Sequence, residues 1–406
     1  MAILDISALT AVLKQKYSAE KVKTLTYPNN PFMAMVGKST DFAGINKVIA
    51  LRNATPQGRS ATFSSAQAYQ TPSTYNRFVI TRVRDYALAT ISGEAIRASK
   101  GNENALVEGL EQEIDGAMIT CSRSMAVAMW HNGGGARGQI STTSSVASAT
   151  VTLANVSDVT NFEVGMTLQT ATTDGTSGSV LPGYVTLVGL DRDLGTLTAS
   201  SAWNLGIPGA AVSNFIFQHG DFGALMAGIP AWVPTSAPSA TPFFGLDRTS
   251  DVTRLAGVRL STTAGAPIEE VLVELSARIT AEGGRPDTAF LNPRDYSNLI
   301  KALGSKVIYE DAKSFDMPQI GFKAAVVMGP GGPIKVVHEI NAPRGFCWMM
   351  QMDTWKFNSL GKAPGILEED GQMILRQFND DSYQVRIAYY GQMSNSAPGW
   401  NGVAAL

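Results

Sequence analysis

The sequence has little charge, few histidines and almost no cysteine. Only 16% of its 406 residues are Asp, Glu, Lys or Arg, whereas about a quarter are charged in an average soluble protein. Three histidines and two cysteines exclude a disulfide scaffold and most zinc clusters. Cys121 and Cys347 share no CxxC spacing and fit a reducing compartment. A near balance of Lys+Arg 32 against Asp+Glu 34 excludes nucleic-acid binding by bulk charge.

Targeting and membrane-spanning segments are also missing. The N-terminal stretch MAILDISALTAVLKQK has no basic start, and Asp5 interrupts its apolar run, so it does not resemble a secretory signal. No run of about 18 apolar residues is without charges and turn-formers, which excludes a membrane-spanning helix. The length predicts two to four domains, and we expect a soluble chain made inside the cell.

The first 45 residues predict a short helix near Ile6–Lys16, followed by an extended arm rich in proline and asparagine. A basic cluster accompanies the helix and is either its solvated face or a contact for phosphate. Its members are Lys14, Lys16, Lys21 and Lys23.

Residues 46–92 predict a long two-stranded ribbon. Apolar and polar residues alternate with a period of two in VIALR (48–52) and in FVITRVRDY (78–86). The more than 20 residues between these stretches have no core-forming pattern, and such loops are uncommon unless they are functional or disordered. Because a two-stranded ribbon is marginal in water, it needs another surface to lie on.

Residues 103–131 predict one very long helix, about 43 Å at 1.5 Å per residue. Asn102 or Asn104 can cap its start, and Gly133 begins the run that ends it. Its methionines favour core packing over a soft-metal site, because no His or Cys cluster accompanies them. The apolar stripe consists of Leu106, Leu110, Ile114, Met118, Cys121, Met125 and Met129.

Residues 140–217 predict a small β-rich module inserted after the helix. Short Ser-, Thr- and Val-rich segments alternate with turns, and the segment has six charged residues, of which five are acidic. The low charge of the chain is therefore concentrated here and at 53–76. We interpret both as the segments least able to fold around a core of their own, in a subunit whose surface is mostly covered by other subunits.

The remainder is predicted to be α+β. A helix is expected over 268–279, ending at Gly283, and Asn292-Pro293 should cap and open another over 293–304. Between the two helices lies a short strand, AFLN. A hairpin about the turn at 329–333 and a long strand, SYQVRIAYYGQM (382–393), follow.

Searches for catalytic motifs find none that is complete. VGKS at 36–39 lacks the first glycine of a phosphate-binding loop, and GPGG at 329–332 opens no helix. The three histidines never stand at metal-ligand spacing, and His131 is expected to complement a helix dipole with its charge. The sequence therefore predicts no enzyme, catalytic residue, cofactor or metal.

Four stretches, taken in their order along the chain, resemble the major capsid proteins of tailed bacteriophages, which have the Hong Kong 97-type fold. They are GDFGALMAGIPAW (220–232), FFGLDRTSDVTRLAGVR (243–259), FLNPRDYSNLIKAL (290–303) and YYGQMSNSAPGWNGV (389–403). The order of arm, ribbon, long helix, inserted module and α/β portion extends the likeness to nearly the whole chain apart from the module.

The resemblance implies an α+β fold of the Hong Kong 97 type with an inserted small all-β domain. It divides the chain into an N-terminal arm (1–45), an extended hairpin loop (46–92), a peripheral domain with its spine helix (93–139), the inserted domain (140–217), a peripheral connection (218–254), an axial domain (255–350), further peripheral strands (351–388) and an axial C-terminal segment (389–406). A subunit of this kind assembles with itself into hexamers and pentamers of an icosahedral head that encloses double-stranded DNA.

The resemblance also implies a location in the virion, with assembly in the bacterial cytoplasm, next to a portal protein and, where used, separate scaffolding and decoration proteins. Packaged DNA would make weak contacts, with the N-terminal lysines facing it, and no membrane takes part. Some members cross-link a loop lysine to a neighbour's asparagine, but residues 53–76 contain no lysine, which predicts a non-covalent shell. The loop residues expected to contact other subunits are Arg59, Phe63, Tyr69, Tyr75 and Arg77.

Two other interpretations remain open at this point. A cellular protein nanocompartment shares the capsid fold but encloses cargo enzymes, so its particles contain protein and no nucleic acid. A β-rich tail or adhesion component belongs to a different class, and a long striped helix in the middle of the chain argues against it.

Overall fold

A computed structural model describes residues 30–42, 44–92, 103–261, 266–303, 325–368, 371–377 and 381–406. These residues form a mixed α+β fold. The helix expected near Ile6–Lys16 and the four N-terminal lysines lie outside the described residues, as does the Asn102 cap.

The strands, numbered in chain order, are β1 Gly37–Ser39, β2 Asn46–Ala54, β3 Thr74–Thr81, β4 Val83–Ser92, β5 Ala136–Gln139, β6 Thr150–Thr152, β7 Thr167–Ala171, β8 Val185–Asp191, β9 Thr196–Ala199, β10 Phe215–Gln218, β11 Val258–Leu260, β12 Thr288–Leu291, β13 Ala325–Gly329, β14 Gly332–His338, β15 Phe346–Met350, β16 Trp355–Ser359, β17 Gly365–Ile366, β18 Ile374–Arg376, β19 Ser382–Asn395 and β20 Gly402–Ala405. The α-helices are α1 Pro31–Met35, α2 Phe63–Ala68, α3 Glu103–Met129, α4 Trp203–Gly206, α5 Ile229–Trp232, α6 Val252–Ala256, α7 Ile268–Ala281 and α8 Pro293–Leu303.

β2 and β3 form the predicted ribbon, as an antiparallel pair in which Asn46 lies opposite Thr81 and Val48 opposite Val79. The ribbon is shorter than the expected range of 46–92. The strand is interrupted at Arg82, and β4 pairs with β19 instead of continuing the ribbon. The ribbon therefore ends at Thr81, where the chain enters a larger sheet.

β19 organises that larger sheet, which we call the long-strand sheet. β4 pairs antiparallel with β19 along ten residues, from Val83 opposite Gly391 to Ser92 opposite Ser382. On its other side β19 pairs in succession with β16, β17 and β18, and β1 adds to β16 in parallel. The predicted long strand over 382–393 is confirmed.

α3 is the predicted long helix and spans 27 residues, or about 40 Å. It packs on β4 and β19. The stripe is confirmed where its side chains are described, because Ile114, Met118, Cys121, Met125 and Met129 are all at most 2% exposed. These side chains join the main core of the molecule.

Residues 140–217 form the predicted β-rich module. Its sheet, which we call the module sheet, has the order β5-β10-β7-β8-β9-β6. The expectation that this segment is among the least able to fold around a core of its own is wrong. Inward residues from its short strands, among them Ile140, Leu168, Leu197 and Ile216, enclose Trp203 in a separate cluster. Short strands each contribute few apolar residues, which is why the sequence pattern conceals this core.

A third sheet, which we call the mixed sheet, has the order β11-β20-β15-β12-β14-β13. The helix α7 packs against this sheet. The predicted helices at α7 and α8 are confirmed, as is the hairpin of β13 and β14, which closes with Gly329 opposite Gly332. Asn292 opens α8 as expected, since its Oδ1 accepts a 3.1 Å bond from the Arg294 amide. An aromatic cluster of Phe32, Trp130 and Phe290 links this sheet to the main core.

Candidate assembly surfaces

The tip of the ribbon exposes three large aromatic side chains. Phe63 is 82% exposed, Tyr69 76% and Tyr75 67%, and α2 buries no side chain. Arg59 and Arg77 are exposed as well. All five residues predicted to contact other subunits therefore lie on the ribbon with exposed side chains, and aromatic side chains at such positions are typical of interaction surfaces.

The tip is closed by backbone bonds. The amide of Thr71 donates to the Gln57 carbonyl at 2.8 Å, and the amide of Gln57 donates to the Thr71 carbonyl at 3.3 Å. Gly58 has φ +125°, and a Cβ there would lie 2.6 Å from the Cα of Gln70. Only glycine fits this turn, so the sequence specifies a shaped tip.

The base of the ribbon is anchored to the same chain. Phe78 and Ile80 are fully buried, and Phe78 packs edge-on against Trp232 with ring centroids 5.0 Å apart. Val79 donates its amide to the Phe244 carbonyl at 2.9 Å. The ribbon therefore has a fixed base and a tip that its own chain leaves exposed.

A cleft of about 990 Å³ separates α3 and β4 from the module. β4 contributes Asp85 to its wall, α3 contributes Ser124, β5 contributes Arg137, and the module contributes Glu163. Part of the lining is exposed apolar surface, with Ile119 49% exposed. Clefts with an apolar lining and a few convergent polar groups are the usual form of a binding site.

Buried charges lie at the floor of the cleft. Arg137 is 3% exposed, and its Nη2 lies 3.1 Å from Oδ2 of Asp221. Asp85 accepts a 2.6 Å bond from Oγ of Ser124. Burial raises the pKa of Asp85 and of Asp221, while the charge of Arg137 opposes both shifts. One guanidinium thus stabilises carboxylates from two parts of the fold.

A second charge cluster bridges α3 and the module at the surface. Arg123 contacts both the Glu163 carboxylate and the Thr160 carbonyl, and Arg192 lies 3.1 Å from the other oxygen of Glu163. Because Glu163 is 40% exposed, such an ion pair contributes about 0–1 kcal/mol to the stability of the fold. Its effect is to orient the module against α3.

The two glycine-containing motifs that resemble phosphate- and dinucleotide-binding loops lie in ordinary strands and turns. Gly37–Ser39 of VGKS is β1, paired with β16, and GPGG at 329–332 is the turn of a hairpin. No three His, Cys, Asp or Glu side chains are grouped for a metal within the described ranges. None of the helices in the described part of the chain has the length and apolar character needed to cross a bilayer.

His131 lies at the end of the long helix as expected, but its burial opposes the expected positive charge. The residue follows the C-terminus of α3, and its Nδ1 lies 2.8 Å from the Val127 carbonyl. Burial lowers the pKa of His131 to about 4. The imidazole is therefore neutral at pH 7 and acts as a hydrogen-bonding group.

Sequence reasoning missed the Asp85, Arg137 and Asp221 cluster, because these residues are distant in the chain and none stands in a motif. The only available signal was that Asp85 interrupts an otherwise alternating apolar strand. It also missed Glu339, which is 1% exposed and accepts a 3.2 Å bond from the Phe32 amide. That contact ties α1 to the mixed sheet.

Comparison with solved structures identifies the fold. A subunit in the capsid asymmetric unit of cyanophage A-1(L) matches with a TM-score of 0.54 and 10% identity, over 93% of this chain and 92% of that chain. The chain has a Hong Kong 97-type capsid fold. The expected fold class is thereby confirmed. No protein-family model and no curated protein matches the sequence.

Two further solved structures match this capsid fold less closely. The capsid of an empty GTA particle has a TM-score of 0.48 at 10% identity, over 92% of this chain and 89% of that chain. The holo-SrpI encapsulin complex from Synechococcus elongatus has a TM-score of 0.42 at 10% identity, over 100% and 96%. Both TM-scores are below 0.5, so the fold rests on the cyanophage subunit.

Within the capsid fold of this chain, the ribbon and the cleft lie on different elements. The ribbon is a two-stranded extension, and the cleft is lined by the helix α3, by β4 and by the module. The described residues thus offer a projecting surface at the ribbon and a concave surface at the cleft.

Proposed function

We propose that the chain is the major capsid protein of a tailed bacteriophage and assembles into an icosahedral head. The observation that carries the proposal is the anchored ribbon, with three aromatic side chains exposed at its tip, on a fold that matches a phage capsid subunit along 93% of the chain. The proposed role is structural and not enzymatic.

The driving force for assembly is burial of surface that a single subunit leaves exposed. Phe63, Tyr69 and Tyr75 are each at least 67% exposed, and an aromatic residue buries about 150–250 Å² when covered. At about 25 cal/mol per Å² this contributes several kcal/mol for each ribbon, before the cost of ordering. Repetition around a closed shell multiplies these contacts.

The proposed division of the chain follows the expected ranges except that the ribbon ends at residue 81 instead of 92. The ribbon would contact a neighbouring subunit, and the mixed sheet would belong to an axial domain. Packaged DNA would meet the N-terminal segment weakly, because the net charge of −2 gives little attraction. The head would join a portal protein, with scaffolding and decoration proteins where used, in the cytoplasm of a bacterial host.

Electron microscopy of the purified chain tests the proposal. We expect closed icosahedral shells, and a variant lacking residues 54–74 should remain folded by circular dichroism but form no shells. Normal particles from that deletion would refute the role of the ribbon.

The contents of particles produced with the rest of the phage separate the two shell functions. Nuclease-protected double-stranded DNA supports the head, whereas particles with co-purifying enzymes and no nucleic acid indicate a nanocompartment. A soluble trimer without shells would contradict both.

A further inference from the structure

The chain crosses between the module and the rest of the fold twice. One crossing runs from the end of α3 into β5, and the other leaves β10 and continues to α5. The two crossings touch, since the Gly223 amide donates to the Gly134 carbonyl at 2.9 Å. They are also closely packed, because a Cβ on Gly135 would clash with the Asp221 carbonyl oxygen. We call residues 132–139 and 218–223 the junction.

The buried guanidinium of Arg137 joins the two crossings to the module. Its Nη2 lies 3.1 Å from Oδ2 of Asp221, on the returning crossing. Its Nη1 donates to the Asn161 carbonyl at 3.4 Å, and Nδ2 of Asn161 donates to the Arg137 carbonyl at 2.9 Å. Nε of Arg137 makes no hydrogen bond with a described residue. The position of β5 in the junction therefore depends on this one side chain.

Asp85 brings a second carboxylate to Arg137, from the long-strand sheet. It lies opposite Tyr389 in the pairing of β4 with β19, and its Oδ2 accepts the 2.6 Å bond from Ser124. The charge of Arg137 acts on both carboxylates, and the charge of Asp85 raises the pKa of Asp221. Two mutually repelling carboxylates thus face one guanidinium. With both ionised the cluster has one negative charge in excess, and one bound proton removes it.

The other ionisable groups around the cluster add no second buried cation within the described residues. Burial raises the pKa of Cys121 and of Tyr389, so both are neutral at pH 7. Burial lowers the pKa of His131 to about 4, so its imidazole is neutral as well. The remaining groups near the junction are half-buried or exposed, where solvent screens their charge. They are Arg123, Asp158, Glu163, Asp174, Arg192 and His219.

We propose that Asp85, Arg137 and Asp221 form a pH-sensitive clamp, which holds the module tightly on the long-strand sheet while the two carboxyl groups together carry one proton. When both are ionised, the excess charge is relieved by water entering between β4 and the junction, and the clamp loosens. Asp85 and Asp221 line the cleft, so protons reach them from solvent. This inference goes beyond the proposed function and does not require a shell.

The direction of the pH dependence follows from burial. Burial raises the pKa of Asp85 and of Asp221 above the usual 3.8. The stabilisation from the protonated cluster is therefore fully present below pH 3.8, and it is lost as the pH rises through the pKa of the folded cluster. The clamp is tight in mild acid and looser at alkaline pH.

Hydrogen exchange of the unassembled full-length chain between pH 4 and pH 8 tests the clamp, after correction for the intrinsic pH dependence of exchange. We expect amides of the junction, such as that of Gly223, to open about tenfold more at pH 8 than at pH 4. Amides in the core of the module, such as those of Leu187 and Ala199, should change little. Asp85→Asn keeps an acceptor for Ser124 but removes the second charge, and should reduce the tenfold difference to about twofold or less.

Two further variants make the test specific to the cluster. Asp158→Asn is the matched control, because burial raises the pKa of this module carboxylate to about 7 but its 3.0 Å bond is with Asn155. It should keep the native profile of the junction. Ser124→Ala removes a hydrogen bond that lowers the pKa of Asp85, and it should move the midpoint of loosening to higher pH.

Four results would overturn the clamp. They are junction exchange in the native chain that does not depend on pH, an Asp85→Asn variant with the native profile, a Ser124→Ala variant with an unmoved midpoint, and exchange in the core of the module that rises as much as in the junction. The last result would show that the whole module unfolds and that the junction does not loosen by itself. If Asp85→Asn did not fold, the midpoint of Ser124→Ala would decide.

Discussion

Lys47 at the base of the ribbon donates a 2.7 Å hydrogen bond from Nζ to Oδ1 of Asn358, a side chain that is fully buried. Nδ2 of Asn358 in turn donates to Oγ of Ser394 at 2.7 Å. These bonds join β2 to β16 and β19 of the long-strand sheet. The lysine nearest to the ribbon tip along β2 is thus held inside its own subunit.

Replacing Lys47 with methionine should destabilise the subunit by about 1–3 kcal/mol, because the buried Asn358 oxygen loses its donor. Urea unfolding of the unassembled chain measures this. Lys362→Met removes an exposed lysine and should change the free energy of unfolding by less than about 0.5 kcal/mol. Equal effects of the two substitutions would show that the bond to Asn358 contributes nothing.

Particles should dissociate to monomers in boiling SDS. Residues 53–76 contain no lysine, and arginine cannot form an isopeptide bond with asparagine. Gels of mature, DNA-filled particles check this prediction. Covalent ladders that persist after reduction would contradict it.

Gly58→Ala should abolish shells while leaving the subunit stable. The added Cβ meets the Gln70 backbone at 2.6 Å, and φ of +125° disfavours alanine. The matched control is Gly116→Ala in α3, where a Cβ has nothing within 4 Å. That control should assemble normally and stabilise the helix by about 0.5–1 kcal/mol. If both variants assembled to the same yield, the shape of the ribbon tip would not be required for assembly, and the prediction would be wrong.

Trp203→Ala should destabilise the module by about 3–5 kcal/mol. Trp203 is fully buried in the separate core, and its Nε1 donates to the Ala149 carbonyl at 3.0 Å. Hydrogen exchange should rise over residues 140–217 and change little in α3. The control Trp400→Ala, at a residue 40% exposed, should not affect the module. Faster exchange throughout the chain would show that the module does not fold around its own core.

Glu339 should make subunit stability fall as pH rises. Burial raises its pKa from 4.5 to about 7, against opposing hydrogen bonds from the Phe32, Asn341 and Ile340 amides. The folded state therefore favours the protonated form. The stabilisation is fully present below pH 4.5, and it is lost as the pH rises from 4.5 to about 7.

Urea unfolding at pH 4.5 and pH 8 compares the native chain with Glu339→Gln. The variant should lack this loss, which is about 1.4 kcal/mol per unit of pKa difference. Glu113→Gln removes an exposed carboxylate and serves as control. A Glu339→Gln variant with the same pH dependence as the native chain would contradict the assignment.

The periodicity of apolar residues predicted those helices and strands whose pattern lies within a single continuous stretch of sequence. The stripe from Ile114 to Met129 predicted α3, and alternation predicted β19 and the β2–β3 ribbon. Pairing across long separations was not predictable in the same way. β4 continues the alternation of β3, and only its contact with β19, some three hundred residues later, separates it from the ribbon.

One of the two candidate surfaces, the ribbon tip, was predictable because it lies in one continuous stretch of sequence. The unusual composition of 53–76 indicated an exposed tip, and Phe63 and Tyr69 are indeed exposed. The cleft was not predicted, because α3, β4 and the module each supply part of its wall. The low charge of 16% also has two causes. In the module it reflects the separate core around Trp203, and only at the ribbon does it accompany exposed apolar surface.

The pairing of β4 with β19 has a mechanical consequence. A pull along the ribbon passes through Thr81 into β4, whose ten paired residues lie antiparallel to β19. Tension in that direction shears the hydrogen bonds together, whereas a pull at right angles would open them one after another. A load applied along the ribbon is therefore transmitted into β19, the longest strand of the described residues.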